Sequence, residues 1–285
     1  MKKQLATLFT LFFLTQSQLH GFDLELNTSY DYFRGIPDGS WNGNSGVFLS
    51  ANAGECFCDG LAFQLGGSYG LYNWDGRGNL VFKNSKSLEQ QAFITVGAST
   101  SFDDFNAGLA YDCMLAKHFS IYDKSIAIDQ LRFQTGYQFC SEEVGLWGTV
   151  RLNSDHKHAL GVPVSYKAIN QINLFWSHFF SECSMGTLWI GAPYGNSFRF
   201  HHKAPGVLTA GFSLRAALAD CLFVDAHGSY MRARKASGAE QSRNYGANIC
   251  VGLTYTFGGC SSPYGASYMP LGNNSNFLVD MSSNN

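Results

Sequence analysis

Four short runs in this 285-residue chain carry residue types that do chemistry in other settings. Gly66-Gly67-Ser68-Tyr69-Gly70 has the spacing of a nucleophile elbow, in which a strained strand-to-helix turn exposes a serine hydroxyl to a base. Here Ser68 falls inside an alternating strand pattern, with Gln64 and Gly66 on its own face, so the local geometry is wrong for an elbow. Asp155-His156-Lys157-His158 sets a carboxylate beside two imidazoles, the composition of a general-base pair at a barrel rim, but a solvated loop has the same composition. His201 and His202 are metal-ligand types with no Cys or carboxylate at ligand spacing, and Cys56-Phe57-Cys58 lacks the second half of a zinc site. No catalytic residue, metal or cofactor is therefore expected, and the chain is expected not to be an enzyme.

The elements that would position these residues are strands. Asn248 to Phe257 alternates throughout: Ile249, Val251, Leu253, Tyr255 and Phe257 on one face, and Asn248, Cys250, Gly252, Thr254 and Thr256 on the other. About ten residues is what a tilted strand needs to cross a bilayer, and two aromatics end the apolar face where an interfacial girdle sits. Similar segments recur at 24–33, 47–53, 61–72, 92–101, 105–116, 130–139, 144–152, 168–180, 185–192, 207–216 and 222–232. The expectation is an all-β fold, an antiparallel transmembrane β-barrel of about twelve strands, with ten as the alternative. The 168–180 segment alternates least well, because Phe175 and Phe179 share a face with Asn173 and Ser177. Aromatics at 15 %, 31 Gly and only 14 % charged residues agree with a strand-rich chain.

Short turns follow every second segment and long polar loops lie between them, the pattern of short periplasmic turns and long extracellular loops. The turns hold Glu55, Asp59, Asp103, Asp104, Glu142, Glu143, Glu182 and Asp220 and no Lys or Arg. The long loops are basic, with Arg77, Lys83, Lys86, Lys117, Lys124, Lys157, Arg199, Lys203, Arg234, Lys235 and Arg243 among their charges. Solvation alone explains the presence of such charges but not their sorting by sign; a positive outer rim would meet the phosphates of lipopolysaccharide or anionic solutes.

Lys2 and Lys3, the apolar run from Leu8 to Leu14 and the small or polar residues to Gly21 have the layout of a secretory signal peptide. Three parts are expected: a signal peptide at 1–21, a barrel at 22–257, and a tail at 258–285 that stays in the periplasm or enters the lumen. The turn-rich stretch from Arg34 to Gly43 leaves a second possibility, that the N-terminal segment folds inward as a plug. Without residues 1–21 the chain has 17 basic and 21 acidic side chains, which excludes a nucleic-acid partner.

Cys250 to Phe257, with Gly252, Tyr255 and Phe257 in register, resembles the assembly signal of outer-membrane barrel proteins, which implies the barrel assembly machinery as a partner and the bacterial outer membrane as the location. From about Asn44 onward the chain resembles an uncharacterised domain-of-unknown-function family of Gram-negative barrel proteins. The segments that carry this are Leu131 to Tyr137, Glu143 to Trp147, Leu174 to His178, Leu188 to Gly191 and Tyr268 to Val279. That resemblance implies a fold and a compartment, not an activity.

Six of eight cysteines, Cys56, Cys58, Cys140, Cys183, Cys221 and Cys260, fall on or beside the expected periplasmic turns, in an oxidising compartment. In this placement the chain is similar to the major outer membrane proteins of chlamydiae, which implies disulfide cross-linking into an oligomer. Bridges within the chain, such as Cys140 with Cys183, are the alternative, and connectivity is not readable from sequence.

Carried through the strands, the alternation turns Gln64, Asp112, Arg132, Gln134, Gln138, Arg151, Arg215, Asp225 and His227 into the lumen, a mixed and mildly positive lining. Inward glycines such as Gly66, Gly97, Gly108, Gly136 and Gly252 leave room there. The expected function is a porin-like passive channel for small solutes with a slight anion preference. The alternative is a disulfide-stabilised structural or adhesive protein of the envelope.

Overall fold

The structure, a computed structural model, describes residues 22–38, 43–58, 60–74, 88–159, 161–195, 204–234, 245–260 and 262–283. The expected signal peptide, His201, His202 and seven of the basic loop residues (Arg77, Lys83, Lys86, Arg199, Lys203, Lys235 and Arg243) lie outside them. Twelve antiparallel strands close into a barrel. They are β1 (Phe22–Arg34), β2 (Asn44–Cys58), β3 (Leu61–Tyr72), β4 (Glu89–Phe102), β5 (Phe105–Phe119), β6 (Lys124–Phe139), β7 (Glu142–Arg151), β10 (Gln171–Ser181), β11 (Ser184–Pro193), β12 (Gly206–Ala219), β13 (Leu222–Ala233) and β14 (Gly246–Phe257). The ring shuts where β14 pairs with β1, from Leu24 opposite Phe257 to Arg34 opposite Ala247. The N-terminal segment is thus a wall strand and not a plug.

Closure leaves no free edge, and alternation sorts the side chains. Leu26, Leu65, Leu109, Leu174, Leu188, Ile249, Val251 and Leu253 point out and are exposed. On a water-soluble surface so continuous an apolar band would drive aggregation; facing lipid it is the stable arrangement. Below it, at the end with the short turns, Phe102, Phe105, Tyr137, Phe139, Phe180 and Tyr255 form an aromatic girdle. The turns are tight enough to need left-handed backbone, taken at Gly60, Asp103 and Cys140.

Three further strands were not foreseen. β8 (Ser154–Ala159) and β9 (Val162–Ala168) form a hairpin between β7 and β10, and β15 (Val279–Ser283), at the far end of the tail, pairs with β9. The Asp155 to His158 run, read as an open loop, is therefore strand β8. The hairpin folds over the loop end of the barrel, where Ala159, Val164, Tyr166 and Ala168 join Phe277 and Val279 of the tail. Phe33, Phe48, Tyr72, Phe93, Met114, Phe119, Ile126 and Ile128 of the wall complete one buried apolar cluster. Each ring or aliphatic chain removed from water there is worth roughly 1.5–3 kcal/mol.

Candidate functional site in the barrel lumen

The lumen is occupied by the chain's own C-terminal segment. It starts at the turn end, where Cys260 is joined by a disulfide to Cys183 in the β10–β11 turn, 77 residues earlier. This replaces the expected bridge between Cys140 and Cys183; Cys140, Cys56 and Cys221 carry free thiols, and Cys113 and Cys250 lie free within strands. Cys58 ends β2 at the same rim. The two glycines between β14 and the bridged Cys260, Gly258 and Gly259, bring the sulfurs together, which no sequence spacing announces.

Three buried wall carboxylates then hold the segment in sequence. Glu143, on β7, accepts hydrogen bonds from the hydroxyls of Tyr264 and Tyr268, each at 3.0 Å, and from Asn106 Nδ2 at 3.1 Å. Asp112, on β5, is paired with Arg132 of β6 through two bonds of 3.0 Å, from Nε and Nη2. Thr95 Oγ1 and Gln130 Nε2 also donate to it, at 2.8 and 3.1 Å. This cluster reaches the tail twice: Arg132 Nη2 donates to the Pro270 carbonyl at 2.6 Å, and the Gly272 amide donates to Thr95 Oγ1 at 2.9 Å. Asp31, on β1, accepts from Tyr72, Asn248 and the tail's Asn274, and Asn274 Nδ2 also bonds Gln91 Oε1 at 3.0 Å. Ser275 donates to Asn248. Buried charges this well paired and hydrogen-bonded are tolerable; singly they would not be.

The wall is cut to receive the tail. A Cβ on Gly66 would lie 2.3 Å from Leu271 Cδ2, and one on Gly108 would lie 2.6 Å from the Met269 side chain. The room that inward glycines leave is filled, so it is not an aqueous path. Conversely, Gly265 of the tail, at φ +77°, sits on the ion pair between Arg215 of β12 and Glu25 of β1, where any side chain would collide with both partners.

Seven of the nine residues expected to line the lumen, Gln64, Asp112, Arg132, Gln134, Arg215, Asp225 and His227, are buried or border a cavity in the lumen. Gln64 bonds Asn52 at 3.0 Å and accepts from Ser267 of the tail at 3.0 Å. Arg132 and Asp112 form the pair above, Arg215 pairs with Glu25, and Asp225 accepts from Thr254. Gln134 and His227 face a cavity beside the tail, while Gln138 lies toward the turn end and Arg151 at the loop end of β7. The balance of charge differs from the expectation. Glu25, Asp31, Glu89 and Glu143 are also buried on the inner face, so with Asp112 and Asp225 they outnumber the lumen arginines, and the lining is acidic. The same alternation contains this signal; it was missed because Glu143 was counted as a turn residue and β1 was treated as a possible plug.

The cavity measures about 280 Å³ and is bounded by β1, β2, β6, β7, β10 to β14 and one flank of the tail. One side is aromatic: Trp147 and Trp189 meet edge to face with centroids 5.1 Å apart, and Phe175 lies beside them. The other side carries hydroxyls, amides and the Glu25–Arg215–Asp225 cluster. Among the described residues no group of three or more His, Cys, Asp or Glu is placed to hold a metal ion.

Closed wall, apolar outer band and polar, self-filled interior define an outer-membrane-type β-barrel plugged by its own C-terminal segment. Residues 15–279 match a family of unknown function (DUF6666), and the chain belongs to that family. Among proteins of curated function none matches this sequence. Among solved structures, a membrane protein from work on the mechanism of in-meso crystallization is similar in fold: 11 % identity, 92 % of this chain and 100 % of that chain covered, TM-score 0.50. The NanC porin aligns at 8 % identity over 81 % of this chain and 98 % of that one, with a TM-score of 0.45. The outer membrane phospholipase of Salmonella typhi, a dimer with bound calcium, aligns at 7 % over 84 % and 92 %, also at 0.45.

Proposed function

We propose that this chain is an outer-membrane protein of a Gram-negative cell, a porin-like barrel that rests closed and passes small solutes when its C-terminal segment leaves the lumen. In this reading residues 1–21 are a signal peptide, 22–257 the barrel and 258–285 the gate. The turn end faces the oxidising periplasm, where the Cys183–Cys260 bridge is chemically at home. The basic loops face lipopolysaccharide, and Gly252, Tyr255 and Phe257 meet the assembly machinery. The observation that carries the reading is the chemistry of the tail's seat: from Tyr264 to Asn274 it is held mainly by hydrogen bonds to polar groups of the wall, which water can take over once the segment has left, and beyond Asn276 by an apolar cluster. The test is conductance of the full-length protein in planar bilayers. The intact protein is expected to be almost silent, and replacing Cys183 and Cys260 by Ser is expected to produce discrete openings. A large steady current from the intact protein, or silence from both proteins, would refute it.

One observation favours a second reading. Cys56 and Cys140 are exposed free thiols on the turn rim, placed to cross-link neighbouring copies or envelope partners. A disulfide ladder on non-reducing gels that collapses when Cys56 and Cys140 are both replaced would support this structural role; monomer alone would remove it.

A further inference from the structure

Beside the tail, the lumen keeps a space that the described residues do not fill, and its walls are differentiated. A Cβ on Gly211 would fall 2.2 Å from Cζ2 and 2.5 Å from Cε2 of Trp189, so this indole lies flat against the wall over a position that only glycine leaves clear. Phe175 is laid down in the same way over Gly145, 2.6 Å from where a Cβ would stand. Trp147 abuts Trp189 at a near-perpendicular angle, 87°. The result is a flat aromatic floor with a raised edge. Neither indole N–H has an acceptor among the described residues, and both indoles line the cavity.

Around this floor are small neutral polar groups, Ser213 two residues from Gly211 on β12 and Ser50 on β2. The hydroxyls of Ser50 and Ser213 line the cavity and make no hydrogen bond among the described residues. The charges at the cavity border are largely matched: Arg215 with Glu25, Arg132 with Asp112, and Glu143 capped by two tyrosines. An anionic ligand would meet Glu25, Asp225 and Glu143. A bare hydrocarbon would fit the floor but would leave the hydroxyls and indole N–H groups desolvated and unpaired.

We propose that this cavity is a binding site for a neutral, polyhydroxylated ring of monosaccharide size, stacked by its C–H face on Trp189 and hydrogen-bonded at its edge by Ser50, Ser213 and the free indole N–H groups. A sugar ring presents the two surfaces the cavity offers, apolar C–H faces and a hydroxyl edge. The volume, about 280 Å³, lies just under the usual small-molecule range of roughly 300–1,000 Å³, and so limits the occupant to one ring. The inference does not depend on the gate, because the space exists with the tail in place.

The test uses the full-length protein in an amine-oxide detergent, which carries no sugar headgroup to compete. Tryptophan fluorescence is followed on titration with D-glucose and with N-acetylglucosamine into the tens of millimolar, with glycerol and toluene as contrasts. A saturable change with at least one of the sugars is expected, weakened about ten-fold by Trp189→Ala, less by Trp189→Phe, and untouched by Trp176→Ala on the lipid face. Ser213→Ala, which leaves the floor intact, is expected to weaken binding too, so a folding defect in the tryptophan variant does not decide the matter. Gel migration before and after boiling reports whether each barrel has folded. No saturable change with either sugar, toluene binding with the sugars silent, or sugar binding indifferent to both Trp189→Ala and Ser213→Ala would overturn the proposal. Because conductance plays no part in this measurement, failure here leaves the channel reading standing, and the reverse.

Discussion

Asn274 donates a 2.8 Å hydrogen bond to Asp31, a residue 243 positions earlier on the first strand of the wall. The same amide nitrogen lies 3.2 Å from the Tyr72 hydroxyl and 3.0 Å from Gln91 Oε1, so one tail side chain ties together β1, β3 and β4. Asn274→Ala withdraws that donor from acceptors with no water to replace it, at about 1–3 kcal/mol for the group left unsatisfied. The expected outcome is faster protease cleavage after residue 258 while the barrel itself still resists boiling-induced mobility change. Unchanged cleavage would mean that the amide is not what holds the tail.

The pair formed by Arg132 and Asp112 is almost fully buried, 2 % and 0 % exposed. Arg132→Met strands a carboxylate inside the wall and is expected to destabilise by about 3–5 kcal/mol, whereas adding Asp112→Asn to it should recover much of the loss. Arg132→Lys is expected to fall between them, since one ammonium cannot supply both the fork to Asp112 and the bond to the Pro270 carbonyl. Urea titration of the folded barrel, read by gel migration, orders the three variants.

Peptide mapping without reduction is expected to return a single cross-linked pair containing Cys183 and Cys260, with Cys140 alkylated. Replacing both bridged cysteines by Ser releases the foot of the tail, and by loop-closure arguments lowers stability by about 2–4 kcal/mol. Recovery of Cys140 bridged to Cys183 would contradict the geometry.

Gly66→Leu places a side chain where Leu271 Cδ2 now sits, 2.3 Å from the first added carbon. The wall strand has lipid on its other face and many backbone bonds to neighbours, so the tail is expected to yield first. Limited proteolysis should then cut within residues 262–278, and channel recordings should show openings; a variant as protected as the parent would show that the seat adapts.

Much of the wall was legible because period-two alternation is enforced twelve times by the same demand, apolar toward lipid and polar toward the lumen. β3 was placed at its observed limits, 61–72, and most other boundaries moved outward by a few residues, as at β6, where Lys124 to Asp129 continue the ladder above the membrane band, whereas the 168–180 segment starts later, at Gln171. What failed had a different physical cause in each case. The hairpin of β8 and β9 packs on protein rather than lipid, so its inward residues Val164, Tyr166 and Ala168 obey a pattern too short to stand out. The tail from Ser262 to Ser275 is nearly irregular, and its partners are scattered over both halves of the wall, from β1 to β7 and again on β10, β12 and β14, so no local period betrays it. Inward glycines looked like empty space, and only the positions of Leu271 and Met269 reveal them as sockets. Phe175, which spoiled the alternation of its strand, did so because it faces the cavity and not the bilayer.

Twelve wall strands return a chain to the side from which it set out, yet the bridged segment then runs up through the lumen to pair Val279–Ser283 with β9 at the loop end. The chain therefore makes an odd number of traverses, and Phe22 and Ser283 come to lie on opposite faces of the membrane. In the proposed orientation, a label on the last strand is expected to report from the cell exterior, although the disulfide some twenty residues before it would report from the inside.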